Sequence, residues 1–359
     1  MPDVTWRTIG QRVREARVAA RLSQEQLGGA VGLDRTMVAK IEAGNRQIDA
    51  VELSRLCAAL GVPLDHFFQD RPAVLSRRGE LAEDDASSAG REAYQLEVQL
   101  TAWLRDVRQL RALELLPVQP PLEYPDRVRS AQHARTAAGW TRQRLGLGDQ
   151  PLQSLLEVCE RAGLLLAVVD APGDGASLVE DGMAVGVVSG SGDPGRRRAT
   201  AAHELGHAMV GDEYSSDLGV SASRDAREST IDAFAAEFLL PAAVIAATSD
   251  FDRGALVRLS AVYRTSWSLA VKQAVRAGAL PRADKAGWLR LKPTKAELME
   301  AVGWAPQPDL ERVCVPPGVA HAVLVALQAG AVTAARAVEL MRGQVEEGDL
   351  PVVGEDASP

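Results

Sequence analysis

The stretch Arg198-Ala-Thr-Ala-Ala-His203-Glu204-Leu205-Gly206-His207 holds two histidines four positions apart, with a glutamate directly after the first. Four residues make slightly more than one turn of an α-helix, so both imidazoles project from one face and can grip a single ion, with Glu204 beside them. Asp193 and Pro194 supply the start of such a helix, because the carboxylate caps it and the proline takes a position that donates no hydrogen bond. The spacing therefore predicts a helix that opens at Asp193 and carries part of a zinc site.

Two neutral imidazoles leave a tetrahedral Zn2+ short of ligands, and a hydrolytic site needs a third protein ligand with one position left for water. Glu228 is the leading candidate. It opens a segment running to Pro241 in which Ile231, Phe234, Ala235 and Phe238 form the buried stripe of a second helix. Asp232, one turn further along the same face, is placed to accept the free N–H of a ligand histidine, and is the next choice of ligand should Glu228 not serve. Zinc so held lowers the pKa of the water it binds toward about 7, and Glu204 is placed to take that proton during attack on an amide carbonyl and then to pass it to the leaving amine. Tyr214 and Tyr263 are candidate oxyanion donors, although a structural role suits either. The other histidines, His66, His133 and His321, stand alone and read as structural.

Upstream, residues 9–68 read as a five-helix domain of short, tightly punctuated helices. Val13, Ala16, Ala20 and Leu22 form one apolar stripe, and Ser23 with Gln26 makes a capping box before Leu27, Ala30 and Val31. Gly32 ends that helix, Asp34 caps the next, and Met37, Val38 and Ile41 turn inward until Gly44, with two more helices at 50–60 and 64–68. Residues 71–90 mix Pro, Gly, Ser and the acidic run Glu80, Glu83, Asp84 and Asp85, which reads as a linker. Residues 91–116 then have a strong helical period suited to a spacer or a dimerising helix, broken by the prolines of 117–125.

In the centre, helical pieces at 131–139 and 152–163 precede the apolar run Leu164–Val169, a buried strand, and Met183–Val188 is a second strand. The Gly-rich stretches 172–176 and 189–192 read as turns. Helices return after Pro241, and the acidic tail from Glu346 reads as frayed. The expected fold is mainly α with a small central α+β part. The expected units are a DNA-binding domain over 1–70, a linker with a long helix over 71–128, a metal-site domain with a small sheet over 129–282, and a helical C-terminal extension over 283–359.

The 359 residues suit two or three domains, and 46% hydrophobic and 25% charged residues are ordinary for a globular chain. A net charge of −8 argues against coating nucleic acid over the whole surface, yet Arg7, Arg12, Arg14, Arg17 and Arg21 concentrate basic charge on the first helix. The sequence offers no basic-then-apolar leader and no membrane span, so a cytoplasmic location is expected. Cys57, Cys159 and Cys314, each in an apolar context read as helical, are expected as buried free thiols.

Two resemblances follow from these motifs. Val13-Arg14-Glu15-Ala16-Arg17, Leu22-Ser23-Gln24-Glu25-Gln26-Leu27, Lys40-Ile41-Glu42-Ala43-Gly44 and Leu60-Gly61-Val62-Pro63 resemble the Cro/repressor-type (XRE) helix-turn-helix. Arg198 to His207 and Asp232-Ala-Phe234-Ala-Ala-Glu237-Phe-Leu-Leu-Pro241 resemble the ImmA/IrrE metallopeptidases, with a zincin-like HExxH site, over residues 130 to 280. Members of that family relieve repression by cleaving a repressor. The resemblance places zinc on His203, His207 and Glu228, with Glu204 as base; where many relatives carry Asn, this chain has Asp232. Residues 289–353 resemble the C-terminal extensions of some two-domain relatives and carry no assigned chemistry.

For the helix-turn-helix, the resemblance implies a third helix at 35–42 lying in the major groove. Arg35 and Thr36 are the candidate base contacts, and Gln24, Lys40, Asn45 and Arg46, with arginines of the first helix, the candidate phosphate contacts. The partners expected are an operator with two-fold-related half-sites, bound by a homodimer, and a protein substrate such as a repressor, with no membrane. The expected function is a stress- or signal-responsive transcriptional regulator with a zinc-dependent endopeptidase domain. The alternatives are a transcription factor whose peptidase-like domain is a non-hydrolytic sensor or scaffold, and an antitoxin-like regulator.

Overall fold

The computed structural model of the protein describes residues 4–68, 76–77, 88–210, 221–303 and 310–351. Four helices open the chain, α1 (Trp6–Ala19), α2 (Gln24–Val31), α3 (Arg35–Glu42) and α4 (Ala50–Leu60), followed by a 3-10 turn at Leu64–Phe67. Their ends follow from capping chemistry. The Ser23 hydroxyl accepts from the Gln26 amide while the Gln26 side chain accepts from the Ser23 N–H, and Gly32 closes α2 at φ 77°. Asp34 caps α3 through the Met37 amide, and Asp49 with Glu52 forms a second capping box on α4. Ile9, Val13, Leu27, Val31, Val38, Ile41, Leu56 and Phe67 meet in one core. Gly10 lies where α1 meets α3, and a Cβ there would fall 2.2 Å from the Ile41 carbonyl oxygen.

After β1 (Ser76–Arg77) comes α5 (Ser88–Ala112), the helix read from sequence as a spacer or dimerising element. It is a wall of the central unit. Leu100, Trp103, Leu104, Val107 and Leu110 are buried against the sheet, and Trp103 Nε1 donates to the Leu165 carbonyl at 2.8 Å. Its other flank presents Tyr94 and Val98 to the core of the first four helices, where the Tyr94 hydroxyl and His66 Nε2 share a 2.6 Å hydrogen bond.

The central unit continues with α6 (Ala131–Arg144), α7 (Leu155–Arg161), β2 (Leu164–Val169), β3 (Gly175–Glu180), β4 (Met183–Ser189), α8 (Pro194–Val210) and α9 (Ser221–Leu239). The strands form a four-stranded sheet in the order β1-β3-β4-β2, with β2 parallel to β4 and β3 antiparallel to both β4 and β1. Every residue of β2 is buried, as its unbroken apolar run requires of a strand covered on both faces. Leu165, Ala167 and Val169 face α5, whereas Leu164, Leu166 and Val168 face the layer of α6 to α9.

β3 corrects the reading of 172–176 as a turn, since the strand already begins at Gly175. Its pairing with β4 ends at Glu180 opposite Met183, leaving Asp181 and Gly182 as a two-residue loop at φ 51° and 72°. Two consecutive left-handed residues are what a tight hairpin between right-twisted strands demands, and Asp-Gly supplies them.

Beyond α9, α10 (Ala242–Ala246), α11 (Arg253–Val262), α12 (Trp267–Arg276), α13 (Lys285–Arg290) and α14 (Lys295–Val302) gather around a separate core of Leu240, Ile245, Leu256, Tyr263, Trp267 and Val271. The Trp288 ring stacks on both Phe251 and Trp267 there. α15 (Pro317–Gln328) and α16 (Ala334–Leu340) then return to the sheet, where Val319, Val323, Leu327 and Leu340 join α5 over its second face. The C-terminal segment is thus structurally continuous with the sheet rather than appended to it. Arg336 on α16 donates to Asp106 of α5 at 2.8 Å across this contact.

Of the three cysteines Cys159 is fully buried and Cys57 and Cys314 are partly exposed, and Cys314 lies on a β-bridge to Val168 rather than in a helix. Among the described residues no helix is long and apolar enough to cross a membrane. Most of the 71–90 linker, Tyr214 and the last eight residues of the tail lie outside the described residues.

Candidate metal centre and nucleic-acid face

Helix α8 opens as its sequence dictates, with the Asp193 carboxylate accepting from the Arg196 amide at 3.0 Å. The helix lies between the sheet and α9, so the face bearing His203, Glu204 and His207 points into the protein and all three have no exposed surface. Gly206, between the histidines, sets the approach of α9. A Cβ there would stand 2.9 Å from both Ile231 Cγ2 and Phe234 Cδ1, so a larger residue would push the two helices apart. Close approach brings Glu228, on α9, to the histidine pair.

His203 Nε2 lies 2.9 Å from Glu228 Oε2, His207 Nε2 lies 3.7 Å from Glu228 Oε1, and the two Nε2 atoms are 3.1 Å apart. His203, His207 and Glu228 each offer one ligand atom, all within 4.8 Å of one another. Donors held about 2.0–2.1 Å from one zinc ion at tetrahedral angles lie about 3.3–3.4 Å apart, so this two-nitrogen, one-oxygen set fits that ion. Burial alone would raise the Glu228 pKa, but hydrogen bonds from His203 and His207 outweigh it and hold the carboxyl well below the usual carboxylate range. Glu228 is therefore poised as an anion, the form in which it ligates a cation.

Asp232, one turn along α9, places Oδ1 3.0 Å from His203 Nδ1. An N–H on Nδ1 directed at this carboxylate lets Nε2 give up its own proton when a cation takes the place of that hydrogen, which is the tautomer a metal ligand requires. The carboxylate itself is more than half exposed, at 58%.

Glu204 turns toward the sheet. Ser177 Oγ on β3 donates to Glu204 Oε2 at 2.7 Å, and both residues are buried. Gly175 permits this closeness, because a Cβ at that position would lie 2.7 Å from Thr200 Cγ2 and 3.3 Å from Glu204 Oε1. Ser177 was missed by sequence reasoning; the Asp181-Gly182 hairpin signal would have placed it on a strand beside the helix. Tyr263 directs its hydroxyl to the Asp149 carbonyl at 2.6 Å, which gives it the structural role rather than the oxyanion one.

On the N-terminal unit, Arg35 and Thr36 are exposed at the start of α3, and Lys40 and Asn45 are exposed at its far end. Gln24 and Arg46 are engaged within the protein. Gln24 Nε2 donates to Glu42 at 2.8 Å, and Arg46 makes a two-pronged contact with Glu52 at 2.6 and 2.8 Å that holds the Glu52 carboxyl below its ordinary pKa. Of the first-helix arginines, Arg12 is buried with Nη1 donating to the Phe67 carbonyl, and Arg17 pairs with Glu42. Arg7, Arg14 and Arg21 remain exposed.

Comparison with known proteins divides along the same lines. The helix-turn-helix family signature matches residues 13–67, and the IrrE N-terminal-like domain signature matches residues 176–273. An uncharacterized transcriptional regulator in the ATPase CF(0) region of Rhodospirillum rubrum is 40% identical over 77 residues, 20% of this chain and 71% of that protein. Uncharacterized HTH-type transcriptional regulators of Sinorhizobium medicae and Sinorhizobium fredii are 34% identical over 64 residues and 33% identical over 78. These matches cover 18% and 22% of this chain and 46% and 54% of those proteins, so the chain spans about half the length of each. By its N-terminal helices and the relatives that share them, this chain belongs to the helix-turn-helix family, and it joins to that module an IrrE N-terminal-like domain.

Proposed function

We propose that the protein is a DNA-binding transcriptional regulator that is also a zinc-dependent endopeptidase acting on a regulatory protein, such as a repressor. The observation that carries the enzymatic half is the convergence of His203, His207 and Glu228 from two helices, with Glu204 buried beside them. A divalent zinc ion would be held by these three side chains and would supply a Lewis acid for hydrolysis of an amide. Glu204 takes the proton from the attacking water and later gives it to the leaving amine. Ser177 fixes the Glu204 carboxylate through Oε2. Asp232 keeps the His203 ring in register. The DNA-binding half rests on the exposed start of α3, where Arg35 and Thr36 face outward for base edges, with Lys40, Asn45, Arg7, Arg14 and Arg21 available to phosphates. A dimer on two-fold-related half-sites is the assembly such a module favours.

The test is metal analysis of the purified full chain, followed by incubation with repressors encoded beside it. About one zinc per chain is expected, with Glu204→Gln keeping the metal and losing cleavage. Cleavage by that variant at the wild-type rate would dismiss Glu204 as the base. The complete burial of His203, Glu204 and His207 favours, as a second reading, a sensor that holds zinc without turnover. A zinc-loaded protein that binds its operator and cuts neither a partner nor itself would establish that reading.

A further inference from the structure

The parallel strands β2 and β4 end together, Val169 opposite Ser189, and the chain leaves them through two short loops, 170–174 and 190–193. The second loop leads straight into α8. Small ligands of α/β sheets bind beyond the carboxyl ends of parallel strands, and a cavity of about 340 Å³ lies there, walled on its far side by Glu92, Ala93 and Leu96 of α5.

The walls of this cavity indicate the charge it would take. A glycine-rich loop before a helix can cradle an anion with its amides, but here those amides are engaged within the protein. Ser189 N–H donates to the Asp174 carbonyl, Gly190 N–H to the Val169 carbonyl and Ser191 N–H to the Ser189 hydroxyl, while Asp193 caps the helix start with its own carboxylate. The loop turns carbonyls onto a cation instead, since those of Gly190 and Gly192 accept from Arg197 Nη1 at 3.1 and 2.8 Å. Arg196 is matched by Asp174 through two hydrogen bonds at 2.9 and 2.7 Å. These contacts leave out the carboxylate of Glu92 and the hydroxyl of Thr200, both on residues that line the cavity. Thr200 is only 1% exposed, and its Oγ1 has no hydrogen-bond partner among the described residues. A buried hydroxyl in that position is destabilising, and a ligand atom that bonds it removes the penalty.

We propose that this cavity binds a small organic cation, an amine whose ammonium group pairs with Glu92 and whose further polar atom meets the Thr200 hydroxyl, with Ala93 and Leu96 covering its carbon chain. The amine acts as an effector of DNA binding. Glu92 and Leu96 line the cavity from the same helix whose Tyr94 and Val98 pack into the core of the N-terminal helices, so a ligand held by α5 bears on the contact that seats the DNA-binding unit. This role rests on the DNA-binding reading; it needs neither zinc nor cleavage.

The experiment titrates the full chain by calorimetry with putrescine, spermidine, agmatine and L-lysine, and with 1,4-butanediol and succinate as neutral and anionic controls. At least one of the four amines should bind with a Kd below about 1 mM, and neither control should. Glu92→Gln should weaken that amine at least about tenfold, and Thr200→Val, which keeps the side chain's shape, about 3- to 10-fold, in proteins that melt no lower than the parent without ligand. Saturating amine should shift the affinity for a labelled duplex from upstream of the gene by at least about fivefold in the parent and not in Glu92→Gln. No amine bound below about 1 mM, an affinity that both substitutions leave unchanged, or succinate bound in place of the amines would overturn the proposal. Unchanged duplex affinity at saturation would overturn the effector role. A parent that binds no duplex without amine would end the DNA-binding reading, and the calorimetry would still decide the ligand of the cavity.

Discussion

Ser177 and Glu204 meet across the interface of β3 and α8, with the serine hydroxyl donating to Oε2 at 2.7 Å in a place with almost no solvent exposure. A hydrogen bond to a buried carboxylate contributes about 1.5–3 kcal/mol, and it also selects one carboxylate rotamer. Ser177→Ala should therefore lower kcat by roughly 10- to 100-fold while zinc content stays at the wild-type level. Ser177→Thr keeps the donor and should recover part of the loss. Steady-state kinetics on a cleaved partner, paired with metal analysis, reads both effects, and an unchanged kcat in the alanine variant would remove Ser177 from the machinery.

Asp232 reaches the site through His203 Nδ1. Carboxylate partners of ligand histidines fix the tautomer and the ring, and losing one weakens metal binding by about 10- to 100-fold. Asp232→Ala is expected to release zinc to a competing chelator at correspondingly lower chelator concentration. Operator binding by the same preparation should be unaffected, because α9 is not part of the N-terminal helical core. Retention of wild-type zinc affinity would show that the His203 ring is held by its packing alone.

Gly206 offers a test of the helix approach that assembles the ligands. A methyl group there meets Ile231 and Phe234 at 2.9 Å, well inside contact distance, and overpacking of this kind costs about 1–3 kcal/mol. Gly206→Ala should lower the melting temperature of the apo protein and reduce zinc occupancy, because α9 retreats and carries Glu228 with it. The two effects separate in a thermal scan with and without added zinc. Full occupancy with an unchanged melting temperature would mean that α8 and α9 yield without moving the ligand.

The parts of this arrangement that were readable from sequence are those set by local chemistry. His203, Glu204 and His207 follow from helical spacing, Ser23, Asp34 and Gly32 from capping, and Leu164–Val169 from an apolar run too short for a helix. Glu228 and Asp232 were legible as two carboxylates one turn apart on a second helix, though what aligns that helix with the first is Gly206, whose role is visible only in three dimensions. Ser177 lies just past the 172–176 turn in a stretch that the sequence reading leaves unassigned, although Asp181-Gly182 marks the hairpin. The bridging role of α5 and the return of α15 and α16 to the sheet were not legible, since an amphipathic stripe states that a helix is buried and not against what. The surroundings of Gln24 and Arg46 were not legible for a related reason. A polar side chain on a DNA-binding module reads alike whether it faces phosphate or, as here, a neighbouring carboxylate.

That distinction separates the arginines of the N-terminal unit into two classes with different expected behaviour. Arg35 is exposed at the start of α3, where a side chain reaching a guanine edge contributes about 1–3 kcal/mol of discrimination, so Arg35→Ala should weaken operator binding by roughly 5- to 150-fold and relax the sequence preference. Arg14→Ala, removing an exposed charge on α1, should weaken binding evenly across sequences and reduce the salt dependence by about one phosphate contact. Arg46 already spends its guanidinium on Glu52, so Arg46→Ala should act mainly by loosening the loop before α4 and leave the salt slope of binding nearly unchanged. Titrations of labelled operator and of scrambled duplex at several salt concentrations distinguish the three. A fall in salt slope for Arg46→Ala equal to that for Arg14→Ala would show that the Glu52 contact opens on DNA and that Arg46 turns to the backbone.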